Sequence, residues 1–79
     1  MTPLFKSALE LMLNSTSRSH ALAGAAVMKN EDQWNTFTNL YNYVVCQHSY
    51  DEQDATLGIN AADEIYNYIF SLNTTPKCP

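Results

Sequence analysis

The feature that most constrains this chain is a helix start at Asn30 followed by a long helical stripe. Asn30 can accept from the backbone N–H groups of a first turn, and Gln33, three residues on, completes a capping box. Glu31 and Asp32 place negative charge at the positive end of the helix dipole. Trp34, Phe37, Tyr41, Val44 and His48 then recur at three- and four-residue steps, with Leu40 and Val45 on the flanks. A chain with such a segment at its centre has to find other apolar faces to cover it.

The rest of the sequence supplies them as helices. Thr2-Pro3 combines a capping residue with proline at the first helical position, where a missing N–H costs nothing. Leu4, Ala8, Leu11 and Met12 follow at helical spacing, with Phe5, Leu9 and Leu13 widening the stripe, and the run stops in the turn-forming residues 14–17 (NSTS). A second helix is expected from about Arg18 to Lys29. Its small residues let another backbone come close, and Gly24, which weakens a helix by about 1 kcal/mol relative to alanine, implies a packing reason. Ser49 with Glu52 repeats the capping pattern and predicts the start of a last helical region reaching about Leu72. That region is read as continuous or kinked, the alternative being a break near Gly58 with Asn60 as the new cap.

Two glycines and three prolines in 79 residues favour helices over a turn-rich β fold. The expected architecture is all-α, a compact bundle of three or four short helices forming one domain over residues 1–73, with residues 74–79 as a flexible tail. A domain this small buries only roughly 60% of the surface its unfolded chain exposes, so its core is thin.

One local repeat bears on function: LYNYVV at residues 40–45 returns as IYNYIF at residues 65–70. Tyrosine, valine and isoleucine also suit strands, which makes an α+β fold the competing reading, but neither unit alternates with period two and both follow helix caps. On a helix, residues two apart point roughly 200° from each other, so each unit cannot send both tyrosines inward. The wheel groups Trp34, Phe37, Leu40, Tyr41, Val44, Val45 and His48 in one arc and puts Tyr43 opposite, with Asp32, Thr36, Asn39 and Gln47. In the last helix Ile65, Ile69 and Leu72 form the core line, Tyr66 and Tyr68 flank it, and Phe70 lies away from it. Exposed tyrosines are cheap to immobilise and are enriched at interface hot spots. The candidate partner-binding residues are therefore Tyr43, Tyr68, Phe70, Asp63, Glu64 and Asn39.

Chemistry is sparsely represented. Ser19-His20 are adjacent and Cys46 and His48 two apart, so neither pair shares a helix face as a nucleophile and its base must. His48, at the end of the apolar stripe, reads as a partly buried, hydrogen-bonded residue. Two histidines and two distant cysteines give no metal-ligand spacing, and no glycine-rich phosphate loop is present. Neither enzyme activity, a metal nor a cofactor is expected.

Eight acids against Lys6, Arg18, Lys29 and Lys77 leave a formal charge of −4. Four scattered cations cannot match the roughly 6–10 phosphates of a DNA footprint, so direct nucleic-acid binding is not expected, and a basic protein surface is the better partner. The apolar start is interrupted by Lys6 and Glu10, unlike a secretory leader, and no apolar run approaches the ~20 residues of a membrane helix. The expected setting is cytoplasmic, with Cys46 and Cys78 as free thiols and the glycosylation-type triplets at Asn14 and Asn73 as chance matches. The functional expectation is a non-enzymatic binding module, an inhibitor or adaptor. By analogy of size and economy, this is the kind of protein that viruses and mobile elements turn on host machinery. A homodimeric structural or regulatory subunit, paired through its exposed aromatics, is the alternative.

Overall fold

Local capping and apolar spacing produce four α-helices among the described residues: α1 (Pro3–Leu13), α2 (Arg18–Lys29), α3 (Glu31–His48) and α4 (Gly58–Ser71), with a 3₁₀ turn at Ala55–Leu57 running straight into α4. The computed structural model describes residues 1–71, and the side chains of residues 1–69. The fold is all-α, and the α+β alternative does not hold: residues 40–45 and the described part of residues 65–70 are both helical.

The predicted N-caps form, but the capping box at Asn30 does not close: the Asn30 N–H donates to the Ala26 carbonyl at 3.1 Å and not to the Gln33 side chain. Thr2 accepts from the N–H of Phe5, and Asn30 Oδ1 accepts from the N–H groups of Asp32 and Gln33 at 2.8 and 3.3 Å. Asn14 closes α1, its backbone N–H and its side-chain amide both donating to the Glu10 carbonyl.

The α3–α4 connection departs from the sequence reading. Ser49 starts no helix; it terminates α3 in the left-handed region (φ 55°, ψ 39°), and its N–H donates to the Val45 carbonyl. The acids after it take their own local bonds: Asp51 accepts from the N–H of Gln53, and Asp54 accepts from the N–H and hydroxyl of Thr56. These short-range bonds compete with helix and hold the segment in turns. Neither reading of the last region holds as made: residues 49–54 are not helical, α4 begins at Gly58 directly out of the 3₁₀ turn, and Asn60 lies inside α4 and is not its cap.

The loop also ties the ends of the fold together. The Glu52 carbonyl accepts from the N–H of Leu4, an otherwise orphaned donor of the first turn of α1. The Ser7 hydroxyl donates to the Ala55 carbonyl at 2.8 Å.

Helix α1 packs against α2, α4 and the 3₁₀ turn, while α3 packs against α2 and α4. Leu4, Ala8, Phe37, Val44, Ala61 and Ile65 are wholly buried where these faces meet. Phe5 is the hub of an aromatic cluster, with the rings of Tyr41, Phe37 and Trp34 centred 4.9, 5.2 and 5.4 Å away. Gly24 has the packing role its position implied: a Cβ there would stand 3.0 Å from the backbone nitrogen of Leu13, so any other residue has to push α2 a few tenths of an ångström away from the end of α1. Gly58 is the tighter contact, between α4 and α1, where a Cβ would stand 2.8 Å from Ser7 Cβ.

Two stripe residues are corrected. Leu11 faces outward, because α1 buries the arc of Leu4, Phe5, Ala8, Leu9 and Met12 against its neighbours. His48 is exposed, because α3 outruns the core by its last turn. Leu72 and the tail at residues 74–79 lie outside the described residues.

Candidate docking face

The four tyrosines of the repeat take three different environments. Tyr41 is buried, 3% exposed, and shares a 2.7 Å hydrogen bond with the Thr2 hydroxyl, which joins α3 to the N-cap of α1. Burial pushes its phenol above the ordinary value of 10.0, with the Thr2 hydrogen bond acting in the opposite sense and the nearby Glu52 charge in the same one. Tyr66 turns toward α2, where its ring meets His20 edge-on at 3.7 Å.

Tyr43 and Tyr68 meet each other. Their rings pack edge-to-face at 5.2 Å and 89°, bridging α3 and α4, and both are half-buried against the core. This corrects the placement of Tyr43 on the open face of α3. Its position is about 110° from the centre of the buried arc, a flank a long ring can cover only if a neighbouring helix supplies a partner. Helix α4 supplies Tyr68 there.

Polar groups surround this pair. The Tyr68 hydroxyl donates to Gln47 Oε1 at 3.2 Å, and its interaction with the Tyr43 side chain is the main cause that raises the Tyr68 phenol above its ordinary range. Glu64, one turn before Tyr68, brings its carboxylate 3.9 Å from His48 Nε2. At this exposure the ion pair contributes little to stability. The His48 ring stacks on Tyr50 at 5.2 Å. Asn39, one turn before Tyr43 on α3, is exposed. Of the sequence-predicted residues, the fold thus groups Tyr43, Tyr68 and Glu64 and sets Asn39 on the same flank. Gln47, His48 and Tyr50 join them; only the i, i+4 spacing of Tyr43 and Gln47 signalled any of this in the sequence.

Asp63 does not belong to this face. It lines a cavity of about 260 Å³ at the α1–α2 turn, together with Leu11, Ser15, His20 and Ile59. The side chain of Phe70 lies outside the described residues. In that cavity the Ser15 hydroxyl stands 3.4 Å from His20 Nδ1, a pairing that the sequence positions, five apart across a turn, did not suggest. The contact is at the long limit of a hydrogen bond, and His20's other interaction is with the Tyr66 ring, not with a carboxylate that would orient it as a base.

No cluster of three or more His, Cys, Asp or Glu side chains among the described residues could hold a metal ion. Cys46 is disulfide-bonded, which corrects the expectation of a free thiol there and removes it as a nucleophile. The chain's other cysteine, Cys78, lies outside the described residues. No described helix is long and apolar enough to cross a membrane.

Comparison with known protein families, with curated proteins and with solved structures finds no match for this chain.

Proposed function

We propose that the chain is a non-enzymatic protein-binding module that docks the acidic, tyrosine-bearing face of α3 and α4 on a partner protein, as an inhibitor or adaptor. The observation that carries the reading is the Tyr43–Tyr68 pair. Two rings locked edge-to-face across two helices form a rigid aromatic ridge, so little side-chain entropy remains to be lost on binding. Gln47 and His48, exposed, and Glu64, partly buried, give that ridge the polar rim typical of recognition surfaces. With a net charge of −4 the module favours a basic partner surface and rapid, salt-sensitive association. The disulfide at Cys46 favours an oxidising compartment over the cytoplasmic setting expected from the sequence.

The test uses the double variant Asn39→Lys with Glu64→Lys. It reverses the rim charge without touching the core, so its stability should stay within about 0.5 kcal/mol of the parent. Affinity capture from the native source should lose the partner with the variant and retain it with the parent. An unchanged set of captured proteins would remove this face as the docking site. A dimer in sedimentation equilibrium at micromolar concentration that the variant dissolves would replace the reading with the self-associating subunit.

A further inference from the structure

A second recess lies along the first half of α3, away from the Tyr43–Tyr68 ridge. It is an open, shallow recess of about 460 Å³ between the N-terminus of α1, α3 and the loop after it. Its aromatic walls are Phe5, Trp34 and Tyr41, the solvent side of the central ring cluster. Its polar groups include Thr38, Asn42 and Glu52. No lysine or arginine lines it, while Met1, which does, carries the terminal amino group, so an incoming cation has to share the Glu52 carboxylate with that group. The Thr38 hydroxyl oxygen is buried and finds no hydrogen-bond partner among the described residues. The rim is fixed in place, because the Glu52 carbonyl is held by the N–H of Leu4 and Thr2 by the Tyr41 hydroxyl.

We propose that this groove receives an arginine side chain of a partner protein. A guanidinium carries five N–H donors and no acceptor, and the residues lining the groove include complementary acceptors in the Glu52 carboxylate and the Asn42 amide oxygen; the buried Thr38 hydroxyl joins them only if its side chain turns outward. Its flat, weakly hydrated face stacks on aromatic rings, and partly exposed Trp34 is the strongest such platform. The ammonium of lysine is a compact, strongly hydrated point charge that matches neither the stacking surface nor the spread of acceptors. The chain's overall negative charge attracts such a side chain from a distance. The inference is independent of the α3–α4 docking face, since the two sites share none of the residues named for them.

Trp34 is the single tryptophan of the chain, so its emission reports on the groove directly. The full chain is titrated with the capped tripeptide Gly-Arg-Gly, its neutral citrulline isostere and its lysine counterpart. The arginine peptide should shift Trp34 emission saturably in the low millimolar range, with the citrulline and lysine peptides each about tenfold weaker or more. Glu52→Gln should weaken arginine binding by about tenfold, and Asn42→Ala should weaken it less. The Asn39→Lys, Glu64→Lys variant reduces the net charge from −4 to −1, so it should bind the peptide more weakly at low salt and as the parent does in about 0.5 M salt, where long-range charge is screened, which separates a failure here from a failure of the α3–α4 reading. The proposal is overturned if Trp34 emission does not move, if arginine and citrulline titrate alike, if lysine matches arginine, or if a folded Glu52→Gln protein binds like the parent.

Discussion

Replacing Gly58 with alanine sets two opposed effects against each other, and the structure decides between them. Gly58 has ordinary helical dihedrals (φ −58°, ψ −35°), so alanine is conformationally acceptable, and helix propensity alone favours it by up to about 1 kcal/mol. A Cβ at this position, however, would stand 2.2 Å from the Ser7 hydroxyl oxygen, 2.8 Å from Ser7 Cβ and 3.1 Å from the Ser7 carbonyl carbon. The hydroxyl can rotate away only by giving up its 2.8 Å bond to the Ala55 carbonyl, worth about 0.5–1.5 kcal/mol. Ser7 Cβ and the carbonyl carbon cannot rotate at all. Carbon atoms rest at about 3.5–4.0 Å, so α4 has to retreat from α1 by about 0.7–1.0 Å. Overpacking of this kind costs about 1–3 kcal/mol. The sum is a net destabilisation of about 2 kcal/mol, which for a domain of this size lowers the melting temperature by about 8–16 °C. Thermal and urea denaturation followed by circular dichroism at 222 nm measures it. Gly24→Ala is the internal comparison: its Cβ meets Leu13 at 3.0–3.3 Å, a squeeze of a few tenths of an ångström, so the net loss should stay within about 1 kcal/mol. A Gly58→Ala protein as stable as the parent, or more stable, would refute the argument that α1 and α4 touch backbone to backbone here.

The raised Tyr41 phenol makes stability fall in alkali. Its contribution is fully present below the ordinary value of 10.0 and lost as pH climbs through the higher folded value, so urea midpoints should drop above about pH 10. Tyr41→Phe should flatten that fall while costing about 0.5–1.5 kcal/mol at neutral pH for the lost Thr2 hydrogen bond. Ser49→Gly should stabilise the chain by up to about 1 kcal/mol, since φ 55° strains a residue with a Cβ; a lower melting temperature would count against the left-handed cap. A double-mutant cycle on Tyr43→Ala and Tyr68→Ala should return a coupling of about 0.5–1.5 kcal/mol, and zero coupling would mean that the two rings do not pack.

Helices α1, α2 and α3 were legible because their signals are local. Thr2 caps α1 and Asn30 caps α3, Asn14 and the serines around it bring α1 to a stop, and the apolar stripes have the helical period. The segment after α3 was misread because Ser49 and Glu52 satisfy a capping pattern that Asp51, Asp54 and the bare N–H of Leu4 outcompete. Two of those competitors act within four residues, but the third comes from the far end of the chain and leaves no trace in the local pattern.

The docking face divides in the same way. The residue order by itself determined that each YNY unit splits its rings between different directions, since that is a consequence of 100° per residue and nothing else. Where the outward directions lead was decided only by the tertiary structure. A flank 110° from the core centre faces water on an isolated helix and faces a neighbour in a bundle. Because α4 lies alongside α3, Tyr43 leans on Tyr68 instead of standing free, and because α1 and the loop close over the other flank, Trp34, Thr38 and Glu52 come to share one groove. Helix period is a property of consecutive residues; which helix lies beside which is set by how the apolar faces, and the glycines that let them approach, fit together.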